Sequence, residues 1–225
     1  SIAWRGHSDT EVILACIESW GLEEAVSRFI GMFAFALWDR EEKQLQLVRD
    51  RLGIKPLYYG LQRGAFLFGS ELKSLRVHPF FQGEINRDAL TLYFRHNVIP
   101  APYSIYKGIS KLLPGNLLSV SRQQPEPEIW AYWSGTEVVQ SGVANVFMGS
   151  DDQAVGALEI LLKDAINKQM MADVPIGAFL SGGLDSSSIS CLMQSQSKIP
   201  INTFTVGFEN KNFDETQKSK KIAKY

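Results

Sequence analysis

The residues with the clearest chemical potential form one loop in the last quarter of the sequence. The loop reads Leu180, Ser181, Gly182, Gly183, Leu184, Asp185, Ser186 and Ser187. It follows a short apolar run at 175–180 and precedes a stretch with helical character, so a strand–turn–helix unit is expected. Adjacent glycines let an anion approach the backbone, while free N–H groups and the helix dipole point at it. The loop is therefore predicted to bind phosphate, with the serine hydroxyls as further donors.

The acidic residue within the loop indicates a metal ion. Because the carboxylate of Asp185 repels phosphate, we expect Mg²⁺ to bridge its oxygens to those of a nucleotide phosphate. The loop is not a Walker motif, since it has no Gly-Lys-Ser/Thr string and no basic residue. For an isolated Ser-Gly-Gly string, a turn closed by an ordinary Asp or Ser helix cap would be the simpler interpretation. The strand–turn–helix context favours the nucleotide site.

The elements around the loop are expected to begin a parallel α/β sheet. Apolar runs at 175–180 and 201–208 predict two strands, and the helix between them starts near Asp185. A long amphipathic helix capped by Asp151 or Asp152 precedes them. A strand–helix–strand order of this kind implies parallel pairing.

The first half of the chain has a different pattern. Helices are predicted at 8–20, 22–29, 71–77 and from the N-cap Asn86, and strands at 32–38, 45–48, 57–59 and 66–68. Ser8 and Glu11 have the spacing of a capping box. The aromatic run at 32–38 predicts a strand buried on both faces, and the four strands an antiparallel meander between layers.

A change of composition divides the chain. The stretch 123–152 is rich in Gln, Pro, Glu, Ser and Gly, which is typical of a linker. We therefore expect an α+β domain with layered antiparallel sheets and helices at 1–122, a linker at 123–152, and the beginning of an α/β domain at 153–225.

Composition excludes several classes of protein. The 225 residues carry 23 Lys and Arg against 24 Asp and Glu, a balance that argues against nucleic-acid binding. With 45% hydrophobic residues the chain can form a core, yet no apolar run reaches the length of about 18 residues that a membrane span needs. We expect a cytoplasmic protein with neither a nucleic-acid nor a membrane partner.

Several strings resemble one enzyme family. Residues 181–186 match the Ser-Gly-Gly-x-Asp-Ser signature of PP-loop ATP pyrophosphatases, and the longer string 173–187 resembles its version in glutamine-hydrolysing asparagine synthetases. In the first half, the strings at 7–14, 31–39, 49–59 and 70–75 resemble the later part of a class II glutamine amidotransferase domain. Two unrelated motifs in the family's order make the resemblance specific.

The resemblance implies a fold and an activity. It implies an amino-terminal-nucleophile-type amidotransferase domain followed by the start of a PP-loop ATP pyrophosphatase domain. In this family, glutamine hydrolysis supplies ammonia, which amidates aspartate through a β-aspartyl-adenylate and releases AMP and pyrophosphate. The implied small-molecule substrates are glutamine, aspartate and ATP, with Mg²⁺ as cofactor and a homodimer as the oligomer to test.

The resemblance also assigns roles to individual residues. It implies that Asp9 binds the α-ammonium of glutamine, although a first-turn acid favoured by the helix dipole is the alternative from sequence alone. It implies that residues 180–187 bind ATP, with Asp185 on the metal. Leu180 and Val206 would pack against the adenine base and ribose, and ordinary core packing is the alternative for both. Val206 ends a presumed parallel strand, where open α/β sheets bind ligands.

A cluster of charges, Arg49, Asp50, Arg51 and Lys55, has two interpretations. It is either a glutamine or interface contact or a solvated hairpin shaped by glycine and proline, and the hairpin is favoured.

The resemblance leaves the nucleophile and the acceptor open. The family's catalytic cysteine is expected upstream of Ser1, and Cys16 is no substitute because it lies mid-helix on an apolar face. We expect the chain to begin inside a domain and to stop within a helix at 214–225, and by itself neither to hydrolyse glutamine nor to make asparagine. The alternatives are a related two-domain enzyme with another acceptor, such as a β-lactam synthetase or a surface-polysaccharide amidotransferase, and a non-catalytic nucleotide-binding module.

Overall fold

The computed structural model describes residues 4–210, 212 and 214–224. The chain forms two compact units, an amino-terminal unit at 1–145 and a carboxyl-terminal unit at 146–225. In the described part of the chain, no helix has the length and apolar character to cross a membrane.

Within residues 4–145, the structure of the amino-terminal unit has two antiparallel sheets and five helices. Its elements are α1 (Asp9–Trp20), α2 (Leu22–Arg28), β1 (Ala34–Asp39), β2 (Gln44–Arg49), β3 (Tyr58–Gln62), β4 (Ala65–Gly69), α3 (Leu72–Arg76), α4 (Arg87–His96), β5 (Ser110–Lys111), β6 (Asn116–Ser121), β7 (Glu128–Ala131) and α5 (Gly135–Ala144). One sheet has the order β1-β2-β6-β7 and the other β4-β3-β5, with antiparallel neighbours throughout. The core between the sheets contains Leu47, Leu57, Leu112, Leu118 and Val120. The predicted antiparallel sheets with helices are present.

The predicted single meander is wrong. Strand β2 pairs with β6, whereas β3 belongs to the second sheet. Among the described residues, strand β1 is an edge strand that pairs only with β2. Trp38 on this strand is 51% exposed, so the strand is not buried on both faces. Both differences arise from contacts distant in sequence, because only the return of the chain at β6 provides β2 with its second partner.

Most helix starts follow their sequence signals. Ser8 caps α1 and Asn86 caps α4, as predicted, each through a side-chain oxygen that accepts backbone N–H groups. The capping box at Ser8 is wrong, since the Glu11 carboxylate accepts the N–H groups of Arg5 and Gly6 instead. The predicted cap of the helix at Asp151–Gln169 is also wrong. Ser150 caps this helix instead of Asp151 or Asp152, and it forms a capping box with Gln153.

The carboxyl-terminal unit begins a parallel α/β arrangement. It contains α6 (Asp151–Gln169), β8 (Gly177–Phe179), α7 (Leu184–Gln196), β9 (Asn202–Phe204) and α8 (Thr216–Ile222). Strands β8 and β9 pair in parallel with α7 between them, which confirms the predicted strand–helix–strand order. Tyr225, the last residue of the predicted final helix, lies outside the described residues. The range 123–152 contains β7 and α5, and its role as a linker stays a prediction.

Candidate functional site

The predicted phosphate loop lies between β8 and α7. Leu180 continues the sheet, because its N–H donates to the carbonyl of Phe204 at 2.8 Å, and its side chain is only 2% exposed. The chain turns through Ser181 and Gly182, and Gly183 is the N-cap of α7. No side chain of the described residues caps this helix, so its first-turn N–H groups are left for a ligand.

The serines of the loop bond to one another and to the backbone. The hydroxyl oxygens of Ser181 and Ser186 are 2.9 Å apart, and the Ser186 hydroxyl accepts the N–H of Ser181 at 3.2 Å. Ser187 donates its hydroxyl to the carbonyl of Gly183 at 2.6 Å. These bonds connect the two ends of the loop, and a phosphate bound there would compete for the same hydroxyl groups.

Gly182 is needed both for its conformation and for its size. Its φ is +79°, in the left-handed region that favours glycine. A Cβ at this position would lie 2.7 Å from Cβ of Lys218 and 3.3 Å from the backbone nitrogen of Ser219. Helix α8 therefore packs directly on the loop at this point.

Replacement of Gly182 by alanine is expected to weaken ATP binding about tenfold. The new methyl group would clash with α8 and the backbone would resist the positive φ, so the loop would shift by more than the tolerance of its phosphate contacts. Equilibrium binding of ATP to the full-length gene product measures the effect. Gly156→Ala in α6, where a Cβ meets nothing within 4 Å, is the matched control and should bind ATP normally.

The other nucleotide candidates lie on both sides of the loop. Asp185 is exposed in the first turn of α7, next to Leu184, which is 83% exposed. Val206 lies two residues beyond the end of β9 and is 62% exposed, whereas Leu180 is buried. The structure thus brings Leu180 and Val206 to the same end of the two strands as the loop, and their contacts with a base stay predictions.

The carboxylate of Asp185 fits one kind of metal site, in which the ion is also held by substrate phosphates. Among the described residues there is no group of three or more His, Cys, Asp or Glu side chains that would hold a metal ion on its own. Mg²⁺ commonly takes one or two carboxylates together with substrate phosphates. The single exposed carboxylate of Asp185 beside a phosphate loop fits that mode of binding.

Asp9, the candidate for glutamine binding, lies at the start of α1. Its carboxylate oxygen Oδ1 accepts the Ser8 hydroxyl at 3.4 Å, and the residue is exposed. It lines an open groove of about 730 Å³ together with Trp4, Arg5, Gly6, His7, Ser8, Glu11 and Val12. The carboxylate is accessible to an ammonium group, and its role in glutamine binding stays a prediction.

The charge cluster at 49–55 is not a solvated hairpin. Asp50 is 1% exposed and Arg49 is 8% exposed. The Asp50 carboxylate accepts the N–H groups of Leu52, Ile54 and Lys55 at 3.2, 3.0 and 2.9 Å. An ionised carboxylate can satisfy several N–H donors at once, so one side chain organises the whole turn.

The guanidinium of Arg49 completes this turn from the other side. It donates to the carbonyls of Lys55, Gly53 and Leu112 at 2.9, 2.7 and 2.5 Å. Burial lowers the pKa of Arg49, and the charge of Asp50 opposes that effect. These bonds tie the end of β2 to Leu112, the residue directly after β5. The sequence signal for this turn was the Arg-Asp pair itself. The pair was expected to lie in solvent because one acceptor of Arg49, the carbonyl of Leu112, is 63 residues away in the sequence.

Tyr132 adds a pH-dependent contact to the same turn. Its hydroxyl donates to the carbonyl of Arg49 at 2.9 Å, and burial raises the pKa of Tyr132 to about 12. Because the folded pKa lies above the usual value of about 10, the stabilisation is complete below pH 10 and is lost as the pH rises toward 12. The amino-terminal unit should therefore lose stability over this range, and Tyr132→Phe should lose less. Urea unfolding followed by tryptophan fluorescence over this pH range tests the prediction. It would be contradicted if the free energy of unfolding fell equally steeply with pH in the wild type and in Tyr132→Phe.

Comparison with known proteins identifies the amino-terminal unit. Residues 1–133 match the family model described as "Glutamine amidotransferase domain". The chain belongs to the glutamine amidotransferase domain family. In this amidotransferase-family chain, residues 157–225 match a second model, "Asparagine synthase", which includes the phosphate loop.

Curated relatives agree with both matches. Asparagine synthetase [glutamine-hydrolyzing] 3 of Bacillus subtilis is 36% identical over 91% of this chain and 33% of its own length. Putative asparagine synthetase [glutamine-hydrolyzing] 2 of Methanocaldococcus jannaschii is 38% identical over 97% of this chain and 41% of its own length. The predicted resemblance to asparagine synthetases is confirmed, and the chain spans less than half the length of these relatives.

A solved structure is also similar. The glutamine phosphoribosylpyrophosphate amidotransferase of B. subtilis, complexed with ADP and GMP, matches with a TM-score of 0.39 and 14% identity. The match covers 95% of this chain and 43% of that one.

Proposed function

We propose that this chain is part of a glutamine-dependent asparagine synthetase, which forms asparagine from aspartate with ATP and the amide nitrogen of glutamine. The observation that carries the proposal is the order of two units in one chain. A glutamine amidotransferase domain is followed by a parallel strand–helix–strand unit whose Ser-Gly-Gly loop precedes a helix without a side-chain cap among the described residues. We infer that the first is of the amino-terminal-nucleophile type and the second begins a PP-loop domain.

The amidotransferase unit would bind glutamine and release ammonia. The exposed carboxylate of Asp9, in the groove at the start of α1, is the proposed partner of the α-ammonium of glutamine. A carboxylate–ammonium pair is a charge-assisted hydrogen bond, which orients the substrate as well as holding it. In the same unit, the turn at 49–55 is fixed by hydrogen bonds of Asp50 and Arg49.

The second unit would bind ATP through its loop. The first N–H groups of α7 face the phosphates, and the serine hydroxyls orient them. Asp185 is the proposed residue for Mg²⁺, which when bound neutralises charge on the phosphate oxygens. The β-carboxylate of aspartate attacks the α-phosphorus, pyrophosphate leaves, and ammonia then displaces AMP to give asparagine. The protein's part in both steps is to hold the phosphates and keep them aligned.

Product analysis of the full-length gene product tests this proposal. The enzyme is incubated with ATP, Mg²⁺, aspartate and either glutamine or ammonia, and the products are identified by mass spectrometry. We expect asparagine, AMP and pyrophosphate from both nitrogen donors. Glutamate without asparagine would mean another acceptor, as in a surface-polysaccharide amidotransferase. ATP binding without any turnover would mean a non-catalytic nucleotide-binding module, and both results contradict the proposal. Cytoplasmic location and a homodimer stay predictions.

A further inference from the structure

The carbonyl group of Leu180, the first residue of the phosphate loop, receives two side-chain hydrogen bonds. Thr205, just after β9, donates its hydroxyl to this oxygen at 2.7 Å. Ser219, in the middle of α8, donates its hydroxyl to the same oxygen at 2.9 Å. A carbonyl oxygen has two lone pairs, so the two hydroxyl groups together saturate it.

Ser219 is placed for this contact by its helix. It is 2% exposed, and its hydroxyl also lies 3.1 Å from the carbonyl of Glu215, one turn earlier in α8. The neighbouring Lys218 approaches the loop as closely as a glycine allows, which is why Gly182 has no room for a Cβ. The loop therefore contacts α8 at two consecutive positions, one through packing and one through a hydrogen bond.

We propose that Ser219 and Thr205 are positioning residues for the nucleotide loop, because they fix the carbonyl of Leu180 and with it the N–H of Ser181. This inference rests on the proposed binding of ATP by that loop. The carbonyl of Leu180 and the N–H of Ser181 belong to one peptide unit, which is planar and rigid. Rotation of that carbonyl would turn the first N–H of the loop by the same angle and break its 3.2 Å bond to the Ser186 hydroxyl.

The two hydroxyl groups should be coupled. Loss of either one leaves the carbonyl of Leu180 with a partner, which costs about as much as one ordinary hydrogen bond. Loss of both leaves a buried acceptor unsatisfied, and the peptide unit would then rotate until its carbonyl accepts another hydrogen bond. The rise in the KM for ATP in the double variant should therefore exceed the product of the rises in the two single variants.

The test uses the full-length gene product and the variants Ser219→Ala, Thr205→Val and their combination. The KM for ATP in aspartate-dependent pyrophosphate release is expected to rise about two- to tenfold in each single variant. In the double variant it should rise about tenfold beyond the product of the single effects. Glutaminase activity should not change, and Ser219→Thr should restore most of the ATP affinity.

Ser190→Ala is the matched control. Ser190 is also buried in a helix, at 6% exposure, and donates its hydroxyl to a carbonyl one turn earlier, that of Ser186, at 2.8 Å. It has no bond to Leu180 and should leave the KM for ATP within about twofold of wild type.

Three results would overturn the inference. One is a KM for ATP in Ser219→Ala equal to that of Ser190→Ala. Another is multiplicative behaviour of the double variant. The third is a fall in kcat with unchanged KM that matches a loss of folded protein in thermal unfolding, since this would make Ser219 merely structural. If Ser219→Ala does not fold, Thr205→Val at its exposed position still tests the contact. A wild-type protein without ATP-dependent pyrophosphate release would instead refute the proposed function, and this inference with it.

Discussion

Replacement of Asp185 by alanine is expected to lower ATP-dependent pyrophosphate release at least about a hundredfold and to leave glutaminase activity unchanged. The carboxylate is exposed in the first turn of α7, beside N–H groups that would hold phosphate. A carboxylate there repels phosphate unless a divalent ion lies between them. Removal of the carboxylate should therefore weaken Mg²⁺ binding, and the charge developing on the leaving pyrophosphate would lose its main counter-charge.

Pyrophosphate release at several Mg²⁺ concentrations measures this effect. The variant should need more Mg²⁺ for half-maximal rate, whereas a general loss of folding would lower the rate at every concentration equally. Asp152→Ala is the matched control, because Asp152 is likewise exposed in the first turn of a helix, α6, whose N-cap is already occupied by Ser150. If Asp185→Ala releases pyrophosphate at more than one-tenth of the wild-type rate, Asp185 is excluded as a metal ligand.

Replacement of Asp50 by alanine is expected to lower the free energy of unfolding of the amino-terminal unit by about 3–5 kcal/mol. Three backbone N–H groups in the turn would lose their acceptor, and the buried guanidinium of Arg49 would lose a nearby opposite charge. Domains are stable by only about 5–15 kcal/mol, so such a loss should leave the unit barely folded.

Urea unfolding followed by tryptophan fluorescence isolates this effect. All 5 tryptophans of the 225-residue chain, Trp4, Trp20, Trp38, Trp130 and Trp133, lie in the amino-terminal unit, so the fluorescence of this chain reports that unit. Asp50→Asn should be less damaging than alanine, because one amide oxygen can still accept a donor. Asp39→Ala is the control, since Asp39 accepts two backbone N–H groups in a turn open to solvent, at 2.8 and 3.0 Å. A midpoint for Asp50→Ala no lower than that of Asp39→Ala would contradict the prediction.

The two variants also separate the two halves of the proposed enzyme. Asp185→Ala should affect only nucleotide chemistry, whereas Asp50→Ala should affect only the stability of the amidotransferase unit. A variant that reduced both activities to the same extent would show that its effect is not local to one site.

Local sequence was sufficient for elements whose partners are near in the chain. The cap at Asn86 and the helices that follow Ser8 and Gly183 depend on contacts within about four residues, and they form where the sequence predicts them. The Ser-Gly-Gly loop between a strand and a helix was equally local. Its strand–helix–strand order predicted parallel strands, and β8 and β9 do pair in parallel.

Local sequence was insufficient to predict whether a charged pair is buried in the protein or exposed to solvent. The same Arg-Asp pair is compatible with an exposed hairpin and with a buried turn, and the residues that decide between them, Leu112 and Tyr132, are 63 and 83 residues away. The sheet order was missed for the same reason, because the three strands of the second sheet lie between β2 and β6 in the sequence.

The sequence by itself determined the residues from which the chemistry is predicted: a Ser-Gly-Gly loop with one carboxylate, which follows an amidotransferase domain along the chain. Only the tertiary structure decided how that loop is held, since the hydroxyl of Ser219 and the side chain of Lys218 reach it from a helix more than thirty residues further along the chain. Which side chains do chemistry is a matter of residue type and short spacing. Which side chains hold them in place depends on packing between distant segments, and no local pattern contains that information.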